Sequence, residues 1–372
     1  MNLKQVFKHI NEKNTSILVE ILAVGLMLFV GYLLFLNNSH GLETFNNGDV
    51  HRGFQRGINV LNGINSYLEF NPDQMLTQEK VPGFFPLYFH LMAVIARISN
   101  YSFVLFLDNL RSLVFAAYLS IGLFIYLSLR KQSKLLGVFG MALFMFNRWT
   151  LGDVYDLKQD TYILFPLLIS LWQLQKDNMK SKIAAFLLFG VATAIKHLTI
   201  FAAPVYALFL FKPFVEVFKD WDRDAFVKEL RKFALYVFIA ILPILGPSIP
   251  YILDTPRHYT NAIMFNLTRE GESKKDLGTG FDNLLVLYNQ DRNNTKFYYM
   301  LPRAPMFLVF LLLVVALFAG KINVWKYCAF AYLLFVIFNP VIFGQYYVWF
   351  LAFAPLVLKR EKKSGTDRKS VV

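Results

Sequence analysis

Long apolar runs recur along this chain from residue 17 to residue 358, and they constrain its fold more than any short motif does. The first run, 17–36, has about the 20 apolar residues that a helix needs to cross a bilayer. A helix suits this environment because it satisfies its backbone hydrogen bonds internally. The apolar fraction of 56% also exceeds the ~45–50% of soluble domains. We therefore predict an all-α polytopic membrane protein without a large soluble domain.

We predict about ten membrane-spanning helices. After 17–36, the predicted spans are 104–129, 135–147, 160–175, 183–195, 197–211, 233–250, 304–319, 325–338 and 346–358. The first run follows a basic start and lacks a small-residue cleavage site after it, so we expect a retained signal anchor. A further apolar segment, 83–99, is predicted to be a re-entrant or interfacial helix. The alternative is that it adds two crossings.

The distribution of Lys and Arg predicts the orientation of the chain. If 83–99 does not cross, one face collects the N-terminus and the segments 130–134, 176–182, 212–232, 320–326 and 359–372. That face then carries the whole net charge of +13. Because basic segments stay cytoplasmic, we predict a plasma-membrane protein with both termini in the cytoplasm. The basic excess indicates contact with anionic membrane lipids and gives no argument for nucleic acid. Residues 213–232 alternate apolar and charged positions, which predicts an interfacial amphipathic helix.

The same orientation places three long polar loops on the extracytoplasmic face, where we expect the active site. These loops are 37–82, 147–160 and 251–303, with a short turn at 339–347. Ordinary connections between spans are shorter. We divide the chain into a catalytic membrane module 1–250 that holds the first two loops, the extracytoplasmic loop 251–303, the C-terminal transmembrane helices 304–358 and the basic cytoplasmic tail 359–372.

Asp49 is the leading catalytic candidate, because it is a carboxylate just past the end of the first span. A carboxylate acts as a general base when its geometry is suitable and a partly apolar setting raises its pKa. The alternative is that Asp49 caps the helix that follows it. His51 beside it is a candidate for substrate binding. Arg52 and Arg56 lie four apart on one helix face and suit a phosphate or a sugar, unless that face is merely solvated.

The second polar loop combines carboxylates with aromatic rings, a combination that holds sugars through their hydroxyls and their C–H faces. Asp153, Asp156 and Asp160 lie within eight residues of one another, beside Trp149 and Tyr155. The alternative is a polar interfacial loop with belt aromatics. A divalent metal is possible, but no His completes a ligand set, so we predict no required metal or other cofactor. The candidate binding residues of this loop are Arg148, Asp153, Tyr155 and Asp156.

Lys196 and His197 interrupt the apolar sequence between two predicted spans. A charge inside a membrane is costly and indicates function, so Lys196 is a candidate ligand for a lipid phosphate. The alternative is snorkelling to the interface. Asp108 and Arg111 are expected to pair with each other. Weaker candidates for a lipid-head pocket, or for interfacial anchors, are Arg257, His258, Gln345 and Tyr346.

Four short motifs, in this order, resemble the GT-C superfamily of integral-membrane glycosyltransferases. They are Asp49 after the first span, Gly83-Phe84-Phe85-Pro86-Leu87 as an aromatic–Pro–Leu helix entry, Arg148-x3-Gly152-Asp153, and Ala192-x3-Lys196. More narrowly, the chain resembles the bacterial polyprenyl-phosphate-mannose-dependent mannosyltransferases, with a looser likeness to the mannosyltransferases of GPI-anchor synthesis. The motif match extends as far as Lys196, and the rest of the chain matches in topology only.

The resemblance implies an inverting transfer of mannose or another hexose. The donor would be a polyprenyl-phosphate-linked sugar and the acceptor a lipid or glycan at the outer membrane face. Asp49 would deprotonate the acceptor hydroxyl, while Lys196 and Arg257 would stabilise the departing phosphate. Many relatives carry an Asp-x-Asp-like pair where this chain has Asp49-Val50-His51, and this departure speaks against a metal-dependent mechanism.

Two other functions fit the sequence less well. A polyisoprenoid or lipid-linked-sugar flippase would place charges near the midplane of broken helices and show internal repeats. A ligase or polymerase acting on polyprenyl-diphosphate glycans would need more cations, which Arg257, Arg269 and Arg303 would supply.

Overall fold

The computed structural model describes residues 17–39, 48–71, 83–219, 221–268, 303–338 and 344–359. Within these ranges the regular structure consists of α-helices and short 3₁₀ segments, with no strand. The helices of the first half are α1 Ile17–Ser39, α2 Gly48–Leu61, α3 Pro86–Ile98, α4 Phe103–Leu129, α5 Lys134–Met145, α6 Arg148–Tyr155 and α7 Gln159–Leu174. The remaining helices are α8 Met179–Ile195, α9 Ala203–Lys219, α10 Arg223–Asp254, α11 Pro256–Thr268, α12 Arg303–Phe318, α13 Val324–Phe338 and α14 Tyr346–Phe353. The 3₁₀ segments are Ser66–Glu69, His197–Ala202 and Ala354–Leu358.

Four stretches of the described chain are long and apolar enough to cross a membrane. They are Glu20–Asn37 in α1, Phe103–Leu129, His197–Lys219 and Arg223–Asp254. Helices α5 and α6 form a fifth if the pair is one span bent by 52°. Shorter apolar helices follow the same sequence pattern, among them α3, α12, α13 and the stretch Tyr346–Leu358. The chain is therefore an all-α polytopic membrane protein, as predicted, while the total of about ten spans stays a prediction.

Ion pairs near the two ends of α1 define two faces of the helical bundle. Close to the start of α1, Glu20 pairs with Arg130 at 2.9 Å and with Lys134 at 2.8 Å, in the turn between α4 and α5. Beyond the end of α1, Asp49 pairs with Lys158, which directly precedes α7. We call these the Glu20 face and the Asp49 face. The two faces lie near opposite ends of α1, which agrees with the prediction that the basic segments and the long polar loops lie on opposite sides of the bundle.

Helix α3, which corresponds to the predicted segment 83–99, begins and ends on the Asp49 face. Before it, the Tyr67 hydroxyl donates a hydrogen bond to the carbonyl oxygen of Phe84 at 2.5 Å. After it, the Phe103 ring at the start of α4 lies 4.8 Å from the His51 ring of α2. Thirteen residues of helix extend only about 20 Å, less than the ~30 Å hydrocarbon core. This geometry favours a re-entrant or surface-lying helix over two additional crossings.

Close backbone contact fixes α2 against α3. A Cβ atom built on Gly57 of α2 would lie 2.7 Å from the carbonyl carbon of Met92 in α3. No side chain fits there without displacing a helix, so glycine sets the spacing. Since Asp49 lies in the first turn of α2, this packing also helps to fix the position of its carboxylate.

The predicted interfacial helix at 213–232 does not exist as a separate element, and that prediction was wrong. Helix α9 continues to Lys219, and α10 starts at Arg223 and runs for 32 residues. The side chain of Asp222 accepts hydrogen bonds from the backbone N–H groups of Asp224 and Ala225, which begins the new helix. The amphipathic pattern therefore belongs to the adjoining ends of two helices.

Aromatic side chains form the core between α13 and α14. The Tyr332 ring stacks on Phe353, with centroids 5.4 Å apart, and lies 5.1 Å from the Trp349 ring. All three side chains are buried. This packing holds α14 in place and directs the indole N–H of Trp349 towards α7.

Candidate functional site

Asp49 lies in the first turn of α2, where the positive end of the helix dipole favours a carboxylate. Lys158 donates a hydrogen bond from Nζ to Oδ2 of Asp49 at 3.0 Å. Arg52, one turn further along α2, pairs with the other oxygen, Oδ1. The Asp49 side chain is still 59% exposed, so a solvent or substrate group can reach it. We call these three residues the rim group.

The two cations of the rim group, Lys158 and Arg52, lower the pKa of Asp49. Partial burial acts to raise the pKa, but the charges of Lys158 and Arg52, and their hydrogen bonds, outweigh it and set the pKa below its usual value. The expectation that an apolar setting raises this pKa was wrong, because the sequence did not reveal that Lys158 lies beside Asp49. The carboxylate is therefore ionised at neutral pH.

A second polar group is buried beneath the rim. The ammonium of Lys196, at the end of α8, lies 2.6 Å from both carboxylate oxygens of Asp160 in α7. Trp349 of α14 donates its indole N–H to Oδ1 of the same carboxylate. Asp160 is fully buried and the Lys196 side chain is 5% exposed. A buried charge is tolerated only when it is paired and hydrogen-bonded. Here Asp160 lies on α7, and its two partners come from the end of α8 and from α14. We call Asp160, Lys196 and Trp349 the buried group.

Asp153, a predicted binding residue, lies close to the buried group. Its Oδ2 accepts hydrogen bonds from the backbone N–H of Thr161, at 3.1 Å, and from the Thr161 hydroxyl. Within the described part of the chain, no donor reaches its other oxygen, Oδ1, although that atom is buried. Buried acceptors are ordinarily satisfied, so Oδ1 is suited to receive a donor from substrate or water.

One tight turn connects the rim group to the buried group. Helix α6 ends at Tyr155, Leu157 adopts a positive φ of 53°, and the backbone N–H of Lys158 donates to the carbonyl oxygen of Asp153 at 3.0 Å. Lys158 then points to Asp49, while Asp160, two residues later, points into the bundle to Lys196. A displacement of the buried group would therefore move Lys158 relative to Asp49.

The aromatic part of the second loop is already occupied by protein groups. The Arg148 guanidinium lies 4.4 Å from the centroid of the Trp149 ring, and the Tyr347 ring stacks on Trp149 at 4.6 Å with an interplanar angle of 11°. These contacts use the ring faces that a sugar would need. Trp149 thus connects the second loop to the last outer turn, and stacking of a sugar on its ring finds no support in this geometry.

Several predicted residues lie near the two polar groups. The Tyr346 ring centroid is 5.6 Å from Nζ of Lys196, which brings the last outer turn to the buried group. His51 is exposed on the same helix as Asp49. The remaining candidates in these segments are Tyr155 and Asp156 at the end of α6, His197 beside Lys196, and Gln345 before α14.

Other predicted residues pair with, or lie on, other parts of the chain. Arg56 is buried and pairs with Glu69, so its guanidinium is already held by a protein carboxylate. Arg257 and His258 lie on α11, which packs against the Ser66–Glu69 segment. Asp108 and Arg111 form the expected pair, at 3.8 Å. Arg269 and the tail beyond Lys359 lie outside the described residues, as does the side chain of Arg303.

Metal coordination has no support in the described ranges, where no group of three or more His, Cys, Asp or Glu side chains converges on one point. The polar groups instead pair carboxylates with Lys, Arg, Thr and Trp donors. What this arrangement offers chemically is an ionised, reachable carboxylate above a network of fixed charges.

Sequence reasoning missed the roles of Lys158 and Trp349. Lys158 comes two residues before Asp160, at the point where an apolar helix begins. Two opposite charges at the end of a span indicate a functional site, so Lys158 could have been identified from the sequence. Trp349 gives no comparable signal, because an indole in an apolar run is ordinary and its partner Asp160 is 189 positions away.

The fold and the polar site describe an integral-membrane protein in which paired carboxylates and cations meet on the Asp49 face. Residues 158–371 match the family model of Mannosyltransferase (PIG-M). The match covers more than half of the chain, which therefore belongs to this mannosyltransferase family. It begins at Lys158 and includes all three residues of the buried group, whereas Asp49 precedes it. No curated protein matches this chain.

Proposed function

We propose that this membrane mannosyltransferase uses a polyprenyl-phosphate-linked mannose as donor and a hydroxyl of a lipid or glycan as acceptor. Asp49 is the general base, and the anomeric configuration is inverted. The observation that carries the proposal is the exposed carboxylate of Asp49, held by two cations at the surface of a bundle whose family transfers mannose. Family membership favours an enzyme over a flippase.

The reaction requires one proton transfer and one displacement. The acceptor oxygen attacks C1 of mannose, its proton passes to a carboxylate oxygen of Asp49, and the bond between C1 and the phosphate oxygen breaks. The polyprenyl phosphate leaves with the bonding electron pair and gains negative charge. Fixed cations near that phosphate lower the barrier, because the charge develops in the transition state.

The lowered pKa of Asp49 determines when the proton moves. A carboxylate held by Lys158 and Arg52 is a weak base towards a free hydroxyl. As the acceptor oxygen bonds to C1 it becomes acidic, and transfer to Asp49 then becomes favourable. In this scheme the rim cations orient the carboxylate and keep it ionised, so that the base is ready in every turnover.

The departing phosphate is better served by cations that are less deeply buried than Lys196. The Lys196 side chain is only 5% exposed. Arg52, Lys158 and Arg148 lie on the Asp49 face with more accessible side chains. We assign the phosphate to these three and give Lys196 a positioning role through the turn that carries Lys158. This replaces the direct contact between Lys196 and phosphate that the resemblance implies.

The proposal places the Asp49 face outside the plasma membrane and the Glu20 face, with both termini, in the cytoplasm. Support comes from the basic segments around Arg130 and Lys134, which lie on the Glu20 face. Lipid-linked donor and acceptor would then meet at the outer membrane surface.

A comparison of donors tests the proposal. Purified full-length protein in nanodiscs is incubated with a membrane-lipid extract and one of three labelled donors: polyprenyl-phosphate mannose, a nucleotide-linked mannose, or a polyprenyl-diphosphate glycan. We expect label transfer from the first donor only, with inversion at C1 seen by NMR of the product. Transfer from the nucleotide sugar or from the diphosphate glycan in its place would refute the donor assignment.

A further inference from the structure

Two tyrosine side chains near Asp49 have no role in the proposed reaction. Tyr88 belongs to the first turn of α3, and Tyr162 to the first turn of α7. Tyr88 is only 7% exposed and Tyr162 only 8%, yet neither hydroxyl has a hydrogen-bond partner in the described part of the chain. Polar groups in a protein interior are ordinarily hydrogen-bonded, so two unpaired hydroxyls near a reactive carboxylate indicate a ligand.

The Tyr88 hydroxyl lies against α2, one turn after Asp49. A Cβ atom built on Gly53 would be 2.8 Å from the hydroxyl oxygen of Tyr88, so the glycine lets this hydroxyl approach the backbone of α2. The same hydroxyl interacts electrostatically with Asp49 and Arg52. It therefore lies near the carboxylate at which, in the proposed reaction, the acceptor oxygen meets C1 of mannose.

The Tyr162 hydroxyl lies near Tyr88 and near two buried carboxyl groups. It interacts electrostatically with Tyr88, Asp160 and Asp153. Asp153 is held by two hydrogen bonds from Thr161, the residue that precedes Tyr162. Its other oxygen, Oδ1, is buried and has no partner within the described ranges. We call the two tyrosine hydroxyls and this oxygen the tyrosine subsite.

The chemistry of the tyrosine subsite suits the hydroxyl groups of a sugar better than a phosphate. A tyrosine hydroxyl both donates and accepts hydrogen bonds, as a sugar hydroxyl does. A phosphate is matched by Arg and Lys donors, and these belong to the rim group, as Arg52 and Lys158. The ring of Trp149 is already stacked on protein groups, so hydrogen bonds are better placed than ring stacking to hold a sugar here.

We propose that Tyr88 and Tyr162, together with Oδ1 of Asp153, bind hydroxyl groups of the transferred mannose and thereby determine which hexose is accepted. The inference rests on the proposed role of Asp49, because C1 of the sugar must lie near that carboxylate. It does not depend on the carrier to which the mannose is attached. A site that hydrogen-bonds a substrate hydroxyl discriminates strongly against an analogue that lacks it.

Kinetics with deoxy donors test the subsite in full-length wild type, Tyr88→Phe and Tyr162→Phe. The donors carry mannose, or mannose in which one hydroxyl at a time is replaced by hydrogen, on whichever carrier wild type accepts. A wrong carrier therefore refutes the proposed function and leaves this test intact. With the mannose donor, each variant should lower kcat/KM about fivefold to tenfold, as expected for one lost hydrogen bond. With the deoxy donor that lacks the contacted hydroxyl, variant and wild type should have equal kcat/KM.

Tyr236→Phe is the matched control. Tyr236 of α10 is 7% exposed, its ring stacks on Phe186, and its hydroxyl also has no hydrogen-bond partner in the described chain, so kcat/KM should stay at the wild-type value. Wild-type kcat/KM in both Tyr88→Phe and Tyr162→Phe with the mannose donor would overturn the proposal. The same fold loss with every deoxy donor, or an equal loss in Tyr236→Phe, would also overturn it, because the hydroxyls would then act on folding and not on the sugar.

Discussion

At the residue scale, the balance of charge around Asp49 determines how the proposed reaction responds to pH. Lys158 and Arg52 lower the pKa of this carboxylate against the opposing effect of burial. Since the base must be ionised, activity is lost only as the pH falls through this lowered pKa. The acid limb of the wild-type profile should therefore lie below about pH 4, the ordinary value for Asp.

Replacement of Lys158 by Met is expected to move that limb upward. Removal of the ammonium 3.0 Å from Oδ2 leaves burial less opposed, so the pKa of Asp49 rises and activity is lost at higher pH. The dependence of kcat/KM on pH measures the shift. Lys158→Arg keeps the charge and should keep the wild-type limb, and an unmoved limb in Lys158→Met would mean that Asp49 is not the titrating base.

The pair of Asp160 and Lys196 is expected to contribute strongly to stability. Lys196→Met leaves a buried carboxylate without its cation and should lower the free energy of unfolding by about 3–5 kcal/mol. Asp160→Leu should cost a similar amount, whereas the double variant Asp160→Leu/Lys196→Met should lose much less than both singles together, since no charge remains unpaired. Denaturant unfolding in detergent measures this cycle, and additive losses would show that the two groups are not coupled.

The difference between Lys196 and Lys158 shows how far single residues can be read from sequence. Lys196 interrupts an apolar run, so its cost in a membrane singles it out. The contact of Lys158 with Asp49 joins residues 109 positions apart and depends on a turn with Leu157 at positive φ. Periodicity and composition carry no information on such a contact, and the pKa of Asp49 was accordingly predicted in the wrong direction.

At the element scale, the apolar runs predicted two of the helices to within one residue at each end. The predicted span 104–129 corresponds to Phe103–Leu129, after Ser102, whose side chain accepts a hydrogen bond from the Leu105 N–H. The predicted span 160–175 corresponds to Gln159–Leu174. The prediction for 213–232 failed because an amphipathic pattern does not show where one helix ends and the next begins. Asp222 caps the start of α10, but it lies in a stretch with several other charged residues, where a single cap residue is hard to recognise.

The contact between α2 and α3 gives an element-scale prediction. Gly57→Ala puts a Cβ atom 2.7 Å from the Met92 carbonyl carbon, so the helices must separate, at a cost of about 1–3 kcal/mol. Gly25→Ala in α1 is the matched control, because no atom lies within 4 Å of its built Cβ. It should be neutral or slightly stabilising. Thermal unfolding in detergent compares the two, and equal stability would contradict the described packing.

At the scale of the whole molecule, the central feature is that charged groups mark two opposite faces. Glu20, Arg130 and Lys134 mark one, and Asp49 with Lys158 marks the other. The order of apolar runs and the distribution of Lys and Arg predicted this alternation without any knowledge of packing. They could not predict which helices touch, and so could not show that Asp160 and Trp349 meet.

Cysteine labelling in intact cells tests the orientation proposed for these faces. Asn62→Cys, exposed just after α2, should react with a membrane-impermeant maleimide added outside, whereas Lys131→Cys should react only after the membrane is permeabilised. The native Cys328 is buried, so wild type should stay unlabelled in both cases. The reverse labelling of the two variants would place the Asp49 face in the cytoplasm.

The most direct test of the central claim is the rate of mannose transfer by Asp49→Asn. Wild type, Asp49→Asn and the exposed control Asp177→Asn on the Glu20 face are compared with labelled polyprenyl-phosphate mannose under single-turnover conditions. Loss of a general base predicts a rate about 10²- to 10⁴-fold lower for Asp49→Asn, with the control unchanged. A folded Asp49→Asn protein that transfers mannose at the wild-type rate would contradict the assignment of Asp49 as the base.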